Sequence, residues 1–298
     1  MKKNKPDLIE FPLSNDKVFK MILTTKPRIA IGLVKAFVPD LKDIDINMEV
    51  TYLRNENDNG INYASTLFDV KFEVAKNLFE LEMQKRNPTY NLKDRIFKYY
   101  LDLLKESFPI NNNYYHKPSY CIWFIGFKLF DDNIAIREYS LSNIETKNKL
   151  INDSSIIIIE IAKFKKPGYN LNSWYDIFVT NDLSVIKEEN DDAMKELVIE
   201  LKKINSDEIM KEKLRQERYR EEERLAEEFA RKEKEEKYKV EIEELKKEIN
   251  EVTKEINEAK KEIKETLLKI AKCLKDNGSS IDFISSTTGL PKEEIEKL

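Results

Sequence analysis

The sequence predicts an α/β sandwich around one sheet, followed by a long α-helical coiled coil and a short helical tail. Three observations predict it. Before about residue 190, alternating or continuous apolar segments are interleaved with segments of helical spacing. From Tyr169 to Asn277 there is no glycine and no proline, so nothing in that stretch breaks a helix. Within it, Ile242, Ile249, Ile256, Ile263 and Ile270 recur at a strict seven-residue period.

Taken in order, Ser14 or Asn15 caps a first helix carrying Phe19, Met21 and Ile22, interrupted at Pro27. A second helix runs from about Ile29 to Phe37 and ends before Pro39. Glu49–Leu53, Thr66–Ala75 and Leu78–Gln84 read as strands, the last two joined by a turn at Lys76-Asn77. Asn91–Ser107 spaces Leu92, Ile96, Tyr99, Tyr100, Leu103 and Leu104 as one face of a helix. Tyr120–Phe130 and Ser155–Ile161 are nearly continuous apolar runs, the signature of buried strands. Helices and strands in this order pack as layers on a single sheet. The expected domains are 1–190 for the α/β part, 191–277 for the charged helix and coiled coil, and 278–298 for a two-helix tail.

In the coiled-coil segment, Leu245, Val252 and Ala259 fall three residues after the first three isoleucines. Isoleucine at a with leucine, valine or alanine at d favours two parallel strands, with Glu241–Lys246 and Glu255–Lys260 as cross-strand charge pairs. This predicts a homodimer through residues 238–270. The alternative is a single amphipathic helix folded back on the α/β domain. After Asn277-Gly278, Ser279 or Ser280 caps a short helix, and Pro291 opens a second after Thr288-Gly289-Leu290. Asp282, Glu293, Glu294 and Glu296 outnumber Lys292 and Lys297 there, so the tail suits protein interaction better than DNA.

Charged residues make up 36% of the 298 positions, yet the net charge is only -4, so any nucleic-acid contact must rest on a local patch. Cys121 and Cys273 form no close pair, which points to a reducing interior. The first nine residues lack the apolar run of a signal peptide, and no stretch is long and apolar enough for a membrane span. A cytoplasmic protein without a membrane partner is expected. His116 is the sole histidine, which disfavours histidine-based metal or base chemistry, and no phosphate-binding glycine loop or nucleophilic serine motif occurs.

Chemistry concentrates in Leu67–Gln84. With the turn at Lys76-Asn77, Lys71 opposes Glu82 and Asp69 opposes Gln84. One face carries Phe68, Val70, Phe72, Val74, Phe79, Leu81 and Met83 and must be buried; the other carries Asp69, Lys71, Glu73, Glu80, Glu82 and Gln84. Asp69 and Glu82 are then diagonal neighbours able to share a divalent cation, with the Met83 carbonyl as a further ligand. Mg²⁺ or Mn²⁺ held there would polarise a phosphodiester and activate water. A half-exposed hairpin with a Lys71–Glu82 ion pair is the plainer alternative.

Several pieces resemble the Rpn family of recombination-promoting nucleases and transposases, within the PD-(D/E)XK superfamily. They are Asn15-Asp16-Lys-Val-Phe19-Lys20, Phe68-Asp69-Val70-Lys71, Leu81-Glu82-Met83-Gln84, Arg95-Ile-Phe-Lys-Tyr99-Tyr100, Phe127-Lys-Leu-Phe130 and Ile159-Glu160-Ile161-Ala-Lys163-Phe164. Their order and spacing carry the resemblance, over roughly residues 10–185. It implies a PD-(D/E)XK-like sheet flanked by helices and Mg²⁺-dependent DNA cleavage, serving recombination, mobile elements or defence against foreign DNA; the leading expectation is an endonuclease cutting double-stranded DNA. By position it implies that Asp69 and Glu82 are metal ligands, that Gln84 stands where the superfamily has lysine, and that Asp16 is an auxiliary acid. Glutamine is neutral, so Lys71 is expected to supply the missing charge. Arg95, Lys85 and Arg86 either contact phosphates or only cap and solvate their elements, while Trp123 and Trp174 are core residues. The competing class is an inactive nuclease fold serving as a coiled-coil scaffold.

Overall fold

The computed structural model describes residues 5–53, 70–88, 90–108, 115–167, 172–187 and 191–298. The chain forms two compact units, Met1–Glu222 and Glu223–Leu298. In the first, helices α1 (Asp16–Thr25) and α2 (Pro27–Phe37) precede strands β1 (Thr51–Tyr52), β2 (Val70–Val74) and β3 (Asn77–Gln84). Helix α3 (Leu92–Ser107) leads to β4 (Ser119–Ile125), β5 (Ile136–Tyr139) and β6 (Ser154–Glu160), then α4 (Ser173–Val179) and α5 (Asp192–Ser206). Helix α6 (Glu208–Asp276) belongs to both units, and α7 (Ile281–Thr288) and α8 (Lys292–Glu296) complete the second.

The local signals act as expected at the helix starts. Asn15 accepts hydrogen bonds from the Lys17 and Val18 amides, satisfying two orphan donors of α1. Pro27 interrupts the helical run, as expected, and then serves as the first residue of α2. Asn91 caps α3 through the Lys93 amide.

The six strands form one mixed sheet in the order β1-β2-β3-β4-β6-β5. β3, β4 and β6 run parallel in the centre, and β2 and β5 flank them antiparallel. One face packs on α1, α2, α4 and α5, with Phe19, Phe72, Phe79, Leu81, Phe124, Phe178 and Leu197 in a common core. Helix α5 lies inside this core through Ala193, Met194, Leu197, Val198 and Leu201, so the boundary expected near residue 190 falls within the first unit. Trp123 and Trp174 are buried, as a core role requires.

The hairpin differs from the register expected for it. Its two-residue turn is Ala75-Lys76, both with positive φ (50° and 64°), and Val74 pairs with Asn77. Lys71 therefore opposes Glu80 rather than Glu82. A slip of two residues leaves every side chain on its face, so alternation cannot set it. The adopted register places Phe72 opposite Phe79, their rings 5.2 Å apart and stacked, with Tyr120 stacked 5.4 Å beyond. The strand expected over Thr66–Ala75 is described only from Val70; residues 66–69 lie outside the described residues.

The second sheet face is covered as well. Helix α3 lays Leu92, Ile96, Tyr99, Tyr100 and Leu103 against Leu78, Cys121, Trp123, Ile125 and Ile158. Burial thus extends to a face whose β2–β3 side chains are largely charged, which sets the character of the site.

In the second unit, α7 and α8 dock on the end of α6 through Ala271, Ile284, Leu290 and Ile295, flanked by Leu267, Leu268 and Leu274. Lys275 donates to the carbonyls of Ile295 and Glu296, and Lys264 pairs with Glu294 at 2.9 Å. Ser280 caps α7 as the sequence suggests. The seam isoleucines of α6 remain exposed.

Candidate active site

β3 carries Glu80, Glu82 and Gln84 on the α3-covered face by simple alternation. Glu80 is 0% and Glu82 2% exposed, and Lys71 on β2 is 6% exposed. Three ionisable side chains are therefore held away from water between strand and helix, where an unpaired charge is costly.

Each meets a different environment. Lys71 faces Glu80 across the ladder, and its ammonium reaches Glu106 on α3. Glu80 receives a weak contact from the Cys121 thiol at 3.9 Å, while its second oxygen has no hydrogen-bond partner among the described residues. Burial first, and then the neighbouring Glu82, push the Glu80 carboxyl well above the usual carboxylate range, with Lys71 opposing. Glu82 lies 3.6 Å from the Arg95 guanidinium.

Arg95 comes from the first turns of α3, where its side chain folds back to the end of β3. One guanidinium nitrogen meets the Gln84 amide oxygen at 3.4 Å and the Tyr90 hydroxyl; the other donates to the Tyr99 hydroxyl at 2.8 Å. The group lies over the rings of Tyr99 (4.8 Å), Trp123 (5.4 Å) and Tyr90 (5.7 Å). Burial opposes its charge, but Tyr99, Glu82 and Tyr90 more than offset this, so its pKa lies above the ordinary value. Gln84 is tied at both ends, since its amide nitrogen donates to the Arg86 carbonyl at 2.7 Å.

The backbone of β3 is oriented too. The Leu78 amide and the Gln84 carbonyl both bond on the β4 side, to Pro118 and Gly126. Alternation then turns the backbone groups of Phe79, Leu81 and Met83 toward β2. Gly126 is where β4 ends: a Cβ there would stand 2.5 Å from the Lys85 carbonyl, so only glycine permits this approach. The strand, expected to reach Phe130, stops at Ile125.

The sequence-level candidates are thus partly gathered. Glu82, Gln84 and Lys71 share one sheet face, with Lys71 two residues further along the ladder from Glu82 than expected. Asp69 lies outside the described residues. Asp16 is exposed in the first turn of α1, two residues after Ser14, which shares a hollow with Met83, Lys85 and Phe164 on the other face. Arg86 pairs with Glu222 at 2.8 Å. His116 contacts Asp153 at 3.0 Å in its loop.

Two features went unforeseen. The aromatic seat of Arg95 needs Trp123 from β4, which no local pattern links to α3. A second ionic group stands at the end of β6, where Glu160 accepts from the Leu129 and Phe130 amides and pairs with Arg137 and Lys163. Asp132 joins it through the same two cations. This group is satisfied internally and locks the 126–135 loop onto the sheet.

Among the described residues, no three histidine, cysteine or carboxylate side chains converge to hold a metal, and no helix is long and apolar enough to cross a membrane. A sequence-family model described as PD-(D/E)XK nuclease family transposase matches residues 13–243. No curated protein and no solved structure matches the chain.

Proposed function

The chain belongs to the PD-(D/E)XK nuclease family transposases, and on that premise we propose that it is a divalent-metal-dependent endonuclease hydrolysing phosphodiester bonds of double-stranded DNA. One observation carries it: a buried carboxylate, Glu82, stands at the end of a central strand beside a guanidinium and a fixed amide. Asp69 is joined directly to Val70, whose ladder partner Leu81 directly precedes Glu82. Asp69 and Glu82 are assigned as metal ligands, with the Met83 carbonyl as a third donor. These are hard oxygen donors, the chemistry of Mg²⁺ or Mn²⁺. The ion would supply charge to polarise the phosphodiester and acidify water.

The side chains do the rest of the work in this assignment. Water oxygen bonds to phosphorus, the bond to one ester oxygen breaks, and that oxygen leaves with a proton. Gln84, held by Arg86 and Arg95, orients polar groups at the strand end. Asp16 acts as an auxiliary acid from α1. Lys71, paired with Glu106, offsets a carboxylate charge that would otherwise weaken substrate approach. Recombination, mobile-element movement or defence against foreign DNA is the setting such cleavage would serve.

A second copy completes the proposal. The seam side chains from Ile242 to Ile270 are 44% to 63% exposed, and pairing through residues 238–270 would bury them. Two chains then bring two sites, one for each DNA strand. Plasmid nicking by the full chain tests the activity: cleavage with Mg²⁺, none with EDTA, and at least a hundredfold loss in Asp69→Ala are expected. An inactive wild type would favour the coiled-coil scaffold instead, and cleavage persisting in Asp69→Ala would place the site elsewhere.

A further inference from the structure

Resting on the nuclease reading, we propose that Arg95 is a catalytic residue, the fixed positive charge that holds the nonbridging oxygens of the scissile phosphate where the superfamily uses lysine. The need arises at Gln84. A neutral amide cannot balance the negative charge that gathers on phosphate oxygens as water attacks. Some cation nearby must.

Four cations lie near the end of β3, and their surroundings differ. Lys71 faces Glu80 and reaches Glu106, away from Gln84. Arg86 is engaged with Glu222. Lys85 lines the hollow with Met83 and Phe164, on the opposite sheet face. Arg95 alone among these four touches both Glu82 and Gln84.

Its contacts also leave it able to act. Its separations from Glu82 (3.6 Å) and Gln84 (3.4 Å) are looser than a good charge-assisted hydrogen bond. The firm restraints come instead from phenol hydroxyls and aromatic faces, which hold the plane without neutralising its charge. The side chain keeps 29% exposure, so it is not sealed from solvent. A planar fork matches two phosphate oxygens at once. The aromatic seat means that little reorganisation accompanies the reaction.

The test uses the full chain in single-turnover plasmid cleavage, with Mn²⁺ binding measured by calorimetry. Arg95→Gln is expected to lower the single-turnover cleavage rate by about 10²–10³-fold, with a smaller change in the concentration that half-saturates it. Its Mn²⁺ affinity is expected to stay the same or tighten, because a cation competing for Glu82 has gone. Arg95→Gln/Gln84→Lys, with the cation restored at the strand end, is expected to recover at least tenfold. If Arg95→Gln fails to fold, that double variant carries the test: folded and active supports the proposal, folded and inactive overturns it. A folded Arg95→Gln cleaving at the wild-type rate overturns it. So does parallel loss of Mn²⁺ binding and cleavage, which would make Arg95 a positioning residue for Glu82. A wild-type chain that leaves the plasmid intact overturns the nuclease reading and this proposal together; an active wild type with an unaffected Arg95→Gln overturns this proposal alone.

Discussion

Glu80 shows what a single side chain costs when strand alternation and helix packing disagree. Alternation turns it to the polar face, α3 then covers that face, and one carboxylate oxygen is left without a partner among the described residues. A group in that position is cheaper neutral than charged. Glu80→Gln keeps the shape and removes the charge, so stability is expected to hold or rise by up to about 1 kcal/mol. Glu80→Ala also removes packing and should cost about 1–3 kcal/mol. Urea denaturation of the two variants decides the matter; a large loss in Glu80→Gln would show that the charge itself is needed for folding. Glu80 was visible on the sequence as one of several alternating charges, but its burial was not, because that depends on a helix a dozen residues away.

At the scale of elements, the legible features were those with local causes. Asn15, one of the two expected caps, starts α1, α3 covers Leu92–Ser107 of the span expected from Asn91, and the heavily apolar β6 lies within one residue of its expected bounds. Strand β5 escaped notice because Ile136-Arg-Glu-Tyr139 is an edge strand, half-exposed and half-polar. The hairpin register escaped because a two-residue slip preserves facing, and the stack of Phe72, Phe79 and Tyr120 that selects it involves a third strand. The chemistry-bearing face of β3 was legible for the same reason that its register was not.

The loop after β4 offers a test with pH. Arg137, the Ile134 amide and Lys163 hold the Asp132 carboxyl well below its ordinary 3.8. A depressed pKa stabilises the fold above the unfolded value, and this contribution fades as pH falls through the folded one. Asp132→Asn is therefore expected to melt below wild type at pH 7, with the gap narrowing as the pH drops under about 4. Melting curves of both proteins from pH 7 to 3 provide the check, and a gap independent of pH would remove Asp132 from the lock.

For the whole molecule, the seam on α6 is the feature with most at stake. Isoleucine at every a position is hard to reconcile with a helix meant to remain solvated alone, since each side chain is about half exposed. Ile249→Glu/Ile256→Glu would place charges in the middle of a paired seam. Light scattering after gel filtration should then report the mass of one chain, against two for wild type. A wild-type chain that runs as a monomer would end the dimer proposal and leave the seam for another helix.

The docked tail has a consequence for how many neighbours that helix can have. Numbered from the isoleucines as a, Lys264, Leu268, Ala271 and Lys275 fall at b and f, away from the seam, while Leu267 and Leu274 fall at e, beside it. Ile263 and Ile270 stay exposed with the tail in place. The tail therefore leaves the a positions open and covers two positions beside them. If α6 pairs as proposed, the tail, like a stopper closing one side of a joint, would leave that end of the helix room for fewer further neighbours.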